Sequence, residues 1–242
     1  MKKALITGAG RGIGRATALA LSGMGYEIYA NYVGNTKAAE ETKTLIEQNG
    51  GVCTLVKYDL CKADCAAKLY ERTGDVDALV LNASIQFRKK WNEITPEEYE
   101  TQMNCNFRAN LFLMQTYAPG MVKNGFGRIV TVGSVQEAKP HPDMLVYSSS
   151  KAALTLMARS LSLQLAGTGV TVNSVAPGVV ATDRNAEALA DEEYRKTVLS
   201  KIPVGFCASP DKIAGAIAFL CSEDASYITG QNLFVDGGMS VK

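Results

Sequence analysis

The sequence predicts an α/β protein, one doubly wound domain with a mostly parallel, seven-stranded sheet and helices on both faces. Three observations carry this. Short β-rich runs alternate with longer amphipathic runs along the whole chain, the pattern of parallel strands joined by right-handed helical crossovers. A glycine-rich turn follows the first apolar run directly. The 242 residues, 47% of them hydrophobic, suit one such sheet, and no repeat, low-complexity stretch or charge block marks a linker.

In chain order, residues 4–7 read as a buried strand and, past the glycines, 13–24 as a helix. Glu27–Tyr32 is the second strand and Thr36–Gln48 an amphipathic helix with Ala39, Leu45 and Ile46 as its apolar residues. Residues 52–58 and Ala78–Leu81 supply two more strands, 96–121 one long helical region, and 128–132 a strand rich in β-branched side chains. A helix at 151–165, a strand at 170–175, a helix at 211–221 and a strand at Asn232–Val235 complete the series. Ligands bind such sheets beyond the carboxyl ends of the strands, so candidate site residues stand just after strands.

Composition removes several classes. A net charge of +1 gives no electrostatic reason to expect nucleic acid or an anionic membrane as a partner. No apolar run reaches the roughly 18 residues of a membrane helix. Met1-Lys2-Lys3 leads into a short apolar run broken by Gly8, Gly10 and Arg11; no secretory leader is read there, and a cytoplasmic protein is expected. The 6 cysteines form no C-x-x-C pair and read as thiols rather than a disulfide framework. His141 is the only histidine, so no His/Cys metal site is expected and a Ser-His-Asp triad has a single candidate base.

The run Thr7-Gly8-Ala9-Gly10-Arg11-Gly12-Ile13-Gly14 lies between the first strand and its helix. Glycines there permit a tight turn, close backbone approach to a pyrophosphate and close helix–sheet packing, while the helix N-terminus offers amide donors. An NAD site places an acid near the end of the second strand. Here that strand ends Ala30-Asn31-Tyr32-Val33, and no acid occurs between Glu27 and Glu40. Arg11 in the glycine loop suits a 2′-phosphate. NADP(H) is therefore favoured, with NAD(H) as the alternative.

Tyr147-Ser148-Ser149-Ser150-Lys151 places Tyr147 and Lys151 one helical turn apart on one face. Ser134 stands just past the 128–132 strand. Carbonyl reduction by hydride transfer needs a proton donor to the developing alkoxide, and the reverse reaction needs a base. Free tyrosine titrates near pKa ~10; a neighbouring ammonium favours its phenolate. A serine hydroxyl can hold the carbonyl oxygen.

On these residues the chain closely resembles the short-chain dehydrogenase/reductase family over essentially its full length. The resemblance rests on TGAGRGIG, the Ser134/Tyr147/Lys151 spacing, Asp59, LNAS at 81–84, Asn106, Pro177-Gly178 with Thr182, and the ending Tyr227-Ile228-Thr229-Gly230 with Asp236-Gly237-Gly238-Met239. It implies a Rossmann fold in one catalytic domain spanning 1–242, with a substrate lid at about 183–206. It implies Tyr147 as acid/base, Ser134 as polariser, Lys151 on the nicotinamide ribose as well, and Asn106 holding a water in a proton relay. It implies cofactor contacts from Gly8, Arg11, Gly12, Ile13, Gly14, Tyr32, Asp59 (adenine), Leu60, Asn82, Ala83, Pro177, Gly178, Val179 and Thr182. It also implies a homotetramer (or homodimer) built on the 147–165 and 211–221 helices and the last strand. The family's usual NNAG is LNAS here, with Leu81 and Ser84 at the changed positions.

The substrate is expected to be a small carbonyl or alcohol compound. The lid stretch is polar, with Arg184, Asn185, Glu187 and Arg195, which suits a sugar or polyol, and within the family its sequence resembles bacterial glucose 1-dehydrogenases. The glycine loop resembles 3-oxoacyl-acyl-carrier-protein reductases as much, so reduction of an acyl-carrier substrate is the alternative. A catalytically idle dinucleotide-binding redox sensor is the reading from another class, against which the intact Ser134, Asn106, Tyr147 and Lys151 speak. Phe87 and Trp91 are candidates for an apolar wall. His141 reads as an exposed loop residue, with polyol contact as its alternative, and Arg88-Lys89-Lys90 as a solvated surface run.

Overall fold

The computed structural model describes residues 1–242, apart from the side chains of Arg184, Glu187, Ala188 and Leu189. The first half runs β1 (Lys3–Ile6), α1 (Gly12–Gly23), β2 (Glu27–Tyr32), α2 (Thr36–Gln48), β3 (Cys53–Lys57), α3 (Cys65–Thr73) and β4 (Ala78–Leu81). Then come α4 (Pro96–Met103), a π-helical turn (Asn104–Arg108), α5 (Ala109–Asn124) and β5 (Gly127–Val132). A 3₁₀ turn (Val135–Glu137) leads to α6 (Leu145–Leu165) and β6 (Val170–Pro177). The chain finishes with α7 (Asp183–Ala190), α8 (Glu192–Ser200), α9 (Pro210–Leu220), β7 (Asn232–Val235) and a last 3₁₀ turn (Met239–Val241).

All seven strands pair in parallel, in the order β3-β2-β1-β4-β5-β6-β7. The chain winds outward from β1 to β3, then returns to place β4 on the other side of β1. That reversal opens a crevice above the carboxyl ends of β1 and β4. Alternation along the strands splits the core in two. Ala4, Ile6, Ala78 and Val80 face a cluster completed by Leu21 of α1, Ile46 of α2, and Ile213 and Ile217 of α9. Leu5, Leu79, Leu81 and Ile129 face the opposite cluster, with Leu69 of α3, Leu113 and Tyr117 of α5, and Leu154 of α6. Each fully buried Leu or Ile contributes about 1.5–3 kcal/mol, so both helix layers are held firmly to the sheet that carries the site.

The structure departs from the sequence-level reading in four places. α3 is absent from that reading; it is nine residues long, with only Cys65, Ala66, Leu69 and Thr73 turned inward, too short for periodicity to stand out. The 96–121 segment is interrupted by a π turn. α6 starts at Leu145 rather than 151, so Tyr147 lies inside its first turn. The lid stretch holds two helices, α7 and α8, of eight and nine residues, each too short for a periodicity to stand out. Among the described residues no helix is long and apolar enough to cross a membrane.

Candidate active site

β1 runs into Thr7, whose hydroxyl accepts from the backbone N–H groups of Asn82 (2.9 Å) and Ala83 (3.0 Å) past β4. In return, the Asn82 amide donates to the Thr7 carbonyl (2.9 Å) and the Gly8 carbonyl (3.2 Å). These four bonds tie the β1 and β4 ends together at the crevice. The turn follows at once, with Gly8 (φ 67°) and Gly12 (φ 55°) in the left-handed region. A Cβ on Gly14 would lie 2.2 Å from the Gly8 carbonyl oxygen and 2.7 Å from Asn82 Nδ2, so α1 closes on its turn only with glycine there. Arg15 clamps the loop from behind, donating to the carbonyls of Gly10 (2.9 Å) and Ala38 (2.8 Å) and to the Thr42 hydroxyl (2.9 Å). α1 has no side-chain cap at Arg11. Its first N–H groups are therefore available to a pyrophosphate, with the helix dipole in support.

The adenosine side is organised by Asn31, which has 2% exposure at the end of β2. It donates to the carbonyls of Val56 and Tyr58 (3.1 Å each) and accepts from the Gly8 N–H (3.4 Å). One amide thus sets the β2, β3 and glycine-turn ends relative to each other. Beside it Tyr32, Asp59 and Leu60 line the cleft, and the Asp59 carboxylate accepts from the Cys61 N–H at 2.9 Å. Arg11 is exposed and reaches across the mouth to Asp183 at the start of α7, 3.8 Å away. Neither Asn31 nor Arg15 is a site residue in the sequence-level reading. Their role is visible only once β2, β3 and α2 are placed around the turn.

On the other side of the crevice, Ser134 follows β5 and opens the 3₁₀ turn. Its Oγ accepts from the Gln136 N–H (3.2 Å), and its own N–H is held by Glu137 Oε1 (2.9 Å). Glu137 curls over Gly133, where a Cβ would meet Oε1 at 2.0 Å, and its Oε2 accepts from Asn232 of β7 (3.0 Å). Burial raises the Glu137 pKa above its ordinary value, with the Ser134 N–H pulling the other way. Tyr147 and Lys151 stand on the inner face of α6, 7% and 1% exposed. The ammonium lies 5.7 Å from the Tyr147 ring centre and donates to the Val132 carbonyl at 2.6 Å.

Asn106 lies in the π turn, fully buried. Its amide accepts from the Ile85 N–H (2.8 Å) and donates to the Ile85 carbonyl (2.8 Å) and the Ser150 hydroxyl (3.1 Å). Its carbonyl takes the Asn110 amide at 2.6 Å. The side chain therefore braces the segment after β4 against α6, at the widened backbone that π turns supply near functional sites.

One cleft of about 1010 Å³ joins these parts. Ser134, Tyr147 and Lys151 line it together with Gly8, Arg11, Gly12, Ile13, Tyr32, Asp59, Leu60, Asn82, Ala83, Pro177, Gly178, Val179 and Thr182. Gly14 and Asn106 stand behind the wall instead. Gly178 is forced, since a Cβ there would fall 2.7 Å from the Asp236 backbone. Ser84 lines the cleft, while Leu81 is buried in the core. Trp91 is 76% exposed and Phe87 faces a separate small hollow, so neither walls the cleft. His141 and Arg88 line it too; Arg88 is at the same time exposed, as its reading as a surface residue expects, while His141 is half-buried. Asn185 lines it as well, while the side chains of Arg184 and Glu187 lie outside the described residues. Among the described residues no group of three or more His, Cys, Asp or Glu could hold a metal ion.

A family profile described as enoyl-(acyl carrier protein) reductase matches residues 8–240. The 3β-hydroxysteroid dehydrogenase 1 of Eggerthella lenta is 34% identical, over 99% of this chain and 94% of its own length. The glucose 1-dehydrogenase of Gluconobacter oxydans is 36% identical, over 99% and 92%. Among solved structures, a 3-oxoacyl (acyl-carrier-protein) reductase from Agrobacterium tumefaciens with NADP bound superimposes with a TM-score of 0.93. Its identity is 32%, over 98% of this chain and 93% of that one.

Proposed function

The chain belongs to the short-chain dehydrogenase/reductase family, and from that premise we propose that Ser134, Tyr147 and Lys151 carry out its reaction on a small sugar, polyol or similar carbonyl compound. It is an NAD(P)-dependent oxidoreductase acting on CH–OH groups, with NADP(H) the favoured cofactor and NAD(H) the alternative. The observation that carries the assignment of residues is their convergence with the glycine turn on one cleft.

The glycine turn, the uncapped α1 N-terminus and Arg11 would hold the phosphates of the dinucleotide, Asp59 and Leu60 its adenine and Tyr32 its adenosine ribose, with Asn82, Ala83 and the 177–182 segment around the rest. A nicotinamide held there would supply or accept the hydride. Ser134 donates to the substrate oxygen, its Oγ oriented by the Gln136 N–H. Tyr147 gives its proton to the developing alkoxide, or takes one in the reverse direction. Lys151, fixed by the Val132 carbonyl, keeps positive charge beside the phenol, the condition under which tyrosine serves as acid and base near neutrality. Asn106 is a positioning residue that holds the Ile85 backbone and α6 in register.

Tyr147→Phe tests the assignment. The variant is expected to bind NADPH with ordinary affinity while turnover falls at least ~100-fold; unchanged turnover overturns the role. The whole chain acts as one catalytic domain in the cytoplasm, with α7 and α8 as its lid. A homotetramer is supported by the exposed apolar side chains of Leu156 and Leu163 on α6, Phe219 on α9 and Leu233 on β7, which are 62%, 78%, 44% and 42% exposed. Reduction of a 3-oxoacyl group on acyl-carrier protein is the second reading, favoured by the likeness to the Agrobacterium structure.

A further inference from the structure

Beyond Ser134 and Tyr147, the substrate end of the cleft is walled by groups from separate segments. Arg88 arrives from the segment after β4, His141 from the loop before α6, and Lys201 from the end of α8. The chain as a whole carries only +1, so this local concentration is not a by-product of general basicity. Of the carboxylate side chains lining the cleft, Asp59 sits at the adenosine end and Asp183 is engaged with Arg11. Among the described residues neither Arg88 nor Lys201 forms an ion pair with a carboxylate. The Arg88 guanidinium is instead held by Tyr194 of α8, at 3.2 Å from its hydroxyl and 5.9 Å from its ring centre. Lys139 and Lys242, also on this wall, donate to the backbone carbonyls of Lys242 and Ser200, drawing the His141 loop and the end of α8 together.

His141 registers the resulting field. Its Nδ1 accepts from the Asp143 N–H at 3.1 Å, so in the neutral ring Nε2 is the donor. Burial lowers its pKa, the charges of Arg88 and Lys201 lower it further, and Asp143 opposes them. Two cations, the guanidinium held by Tyr194 and the exposed ammonium of Lys201, form with a neutral N–H donor around one opening a receptor for a carboxylate.

Resting on the oxidoreductase reading above, we infer that the substrate bears a carboxylate, which Arg88 and Lys201 bind with His141 beside them while Ser134 and Tyr147 act on its hydroxyl or carbonyl group. The occupant is a small free acid, since Arg88, His141 and Lys201 line the same cleft as Ser134 and Tyr147.

The test uses the full chain and compounds differing in that charge. Gluconate is compared with glucitol for NADP+ reduction. For NADPH oxidation, 4-oxopentanoate is compared with its methyl ester, and acetoacetate with its neutral N-acetylcysteamine thioester. The acid is expected to exceed its neutral counterpart at least about tenfold in kcat/KM, chiefly through KM. In Arg88→Gln/Lys201→Gln that ratio should fall towards one. A wild-type ratio at or below one, a preference for the thioester, or a ratio unmoved by the double substitution overturns the inference. If NADPH binds but no compound turns over, the reaction reading itself fails. The carboxylate site is then judged separately by NMR titration of His141, the only histidine in the chain. Gluconate, and not glucitol, should raise its pKa in wild type and leave it unmoved in the double variant. Equal responses to gluconate and glucitol, or none, overturn the site.

Discussion

Glu137 is the clearest lever on Ser134, and Glu137→Ala removes it. The carboxylate holds the Ser134 N–H at 2.9 Å and the Asn232 amide at 3.0 Å, and it occupies the space above Gly133. Hydrogen bonds to a charged group contribute about 1.5–3 kcal/mol. Part of that is offset because alanine no longer buries a charge, which leaves a net loss of about 2 kcal/mol. For a chain of this size each kcal/mol moves Tm by about 2–4 °C, so a fall of about 4–8 °C is expected. The backbone that carries the Ser134 hydroxyl also loses its anchor, and kcat/KM should drop about 10–100-fold. Glu137→Gln should behave differently. Its oxygen still accepts from Ser134, and Asn232 can turn so that Oδ1, buried without a partner among the described residues, accepts from the new amide. Burial raises the Glu137 pKa above its ordinary 4.5 in the folded state, so its stabilising contribution is full below that value and declines as pH rises through the raised one. Glutamine lacks this loss, and its Tm relative to wild type should be more favourable at pH 7.5 than at pH 4.5. Thermal melts at both pH values and steady-state kinetics on the two variants decide the matter. Glutamine falling as far as alanine, or alanine matching wild type in both assays, would refute the anchoring role.

Three further outcomes are expected. Gly14→Ala drives a methyl against the Gly8 carbonyl at 2.2 Å; overpacking of this kind costs about 1–3 kcal/mol, read as a lower Tm together with weakened NADPH binding by fluorescence. Arg11→Ala should raise KM for NADP+ about tenfold and change KM for NAD+ little, and indifference to both cofactors would remove Arg11 from phosphate recognition. Light scattering after size exclusion should give the mass of a tetramer, falling to that of smaller species when Leu156 and Leu163 are both replaced by Glu; a monomeric wild type refutes the assembly.

Much of the fold was legible because its signals are local. All seven strands begin within a residue of their expected position, and β2, β4, β6 and β7 begin at it, since each is a β-branched or apolar run bounded by turns. The Tyr147–Lys151 pair was legible because one helical turn brings both to one face. The π turn at Asn104–Arg108 was not, because it answers to the bonds Asn106 makes with Ile85 and Ser150, 21 and 44 residues away. α3 and the lid helices escaped because a short or polar helix takes its stability from what it packs on rather than from its own periodicity.

By itself, the sequence determined the α/β class, the glycine turn, the Ser134–Tyr147–Lys151 set and the lone histidine, since these depend on residue type, backbone freedom and spacing along one element. Only the tertiary structure decided that Arg15 and Asn31 hold the turn, that Glu137 holds Ser134, that Gly14 and Asn106 stand behind the wall, and that Arg88, His141 and Lys201 share one end of the cleft. Most of those arrangements join segments tens to more than a hundred residues apart, and even Glu137, three residues from Ser134, is held in place by Asn232 of β7. Such a meeting is a property of how helices pack on a twisted sheet, which no run of neighbouring residues encodes.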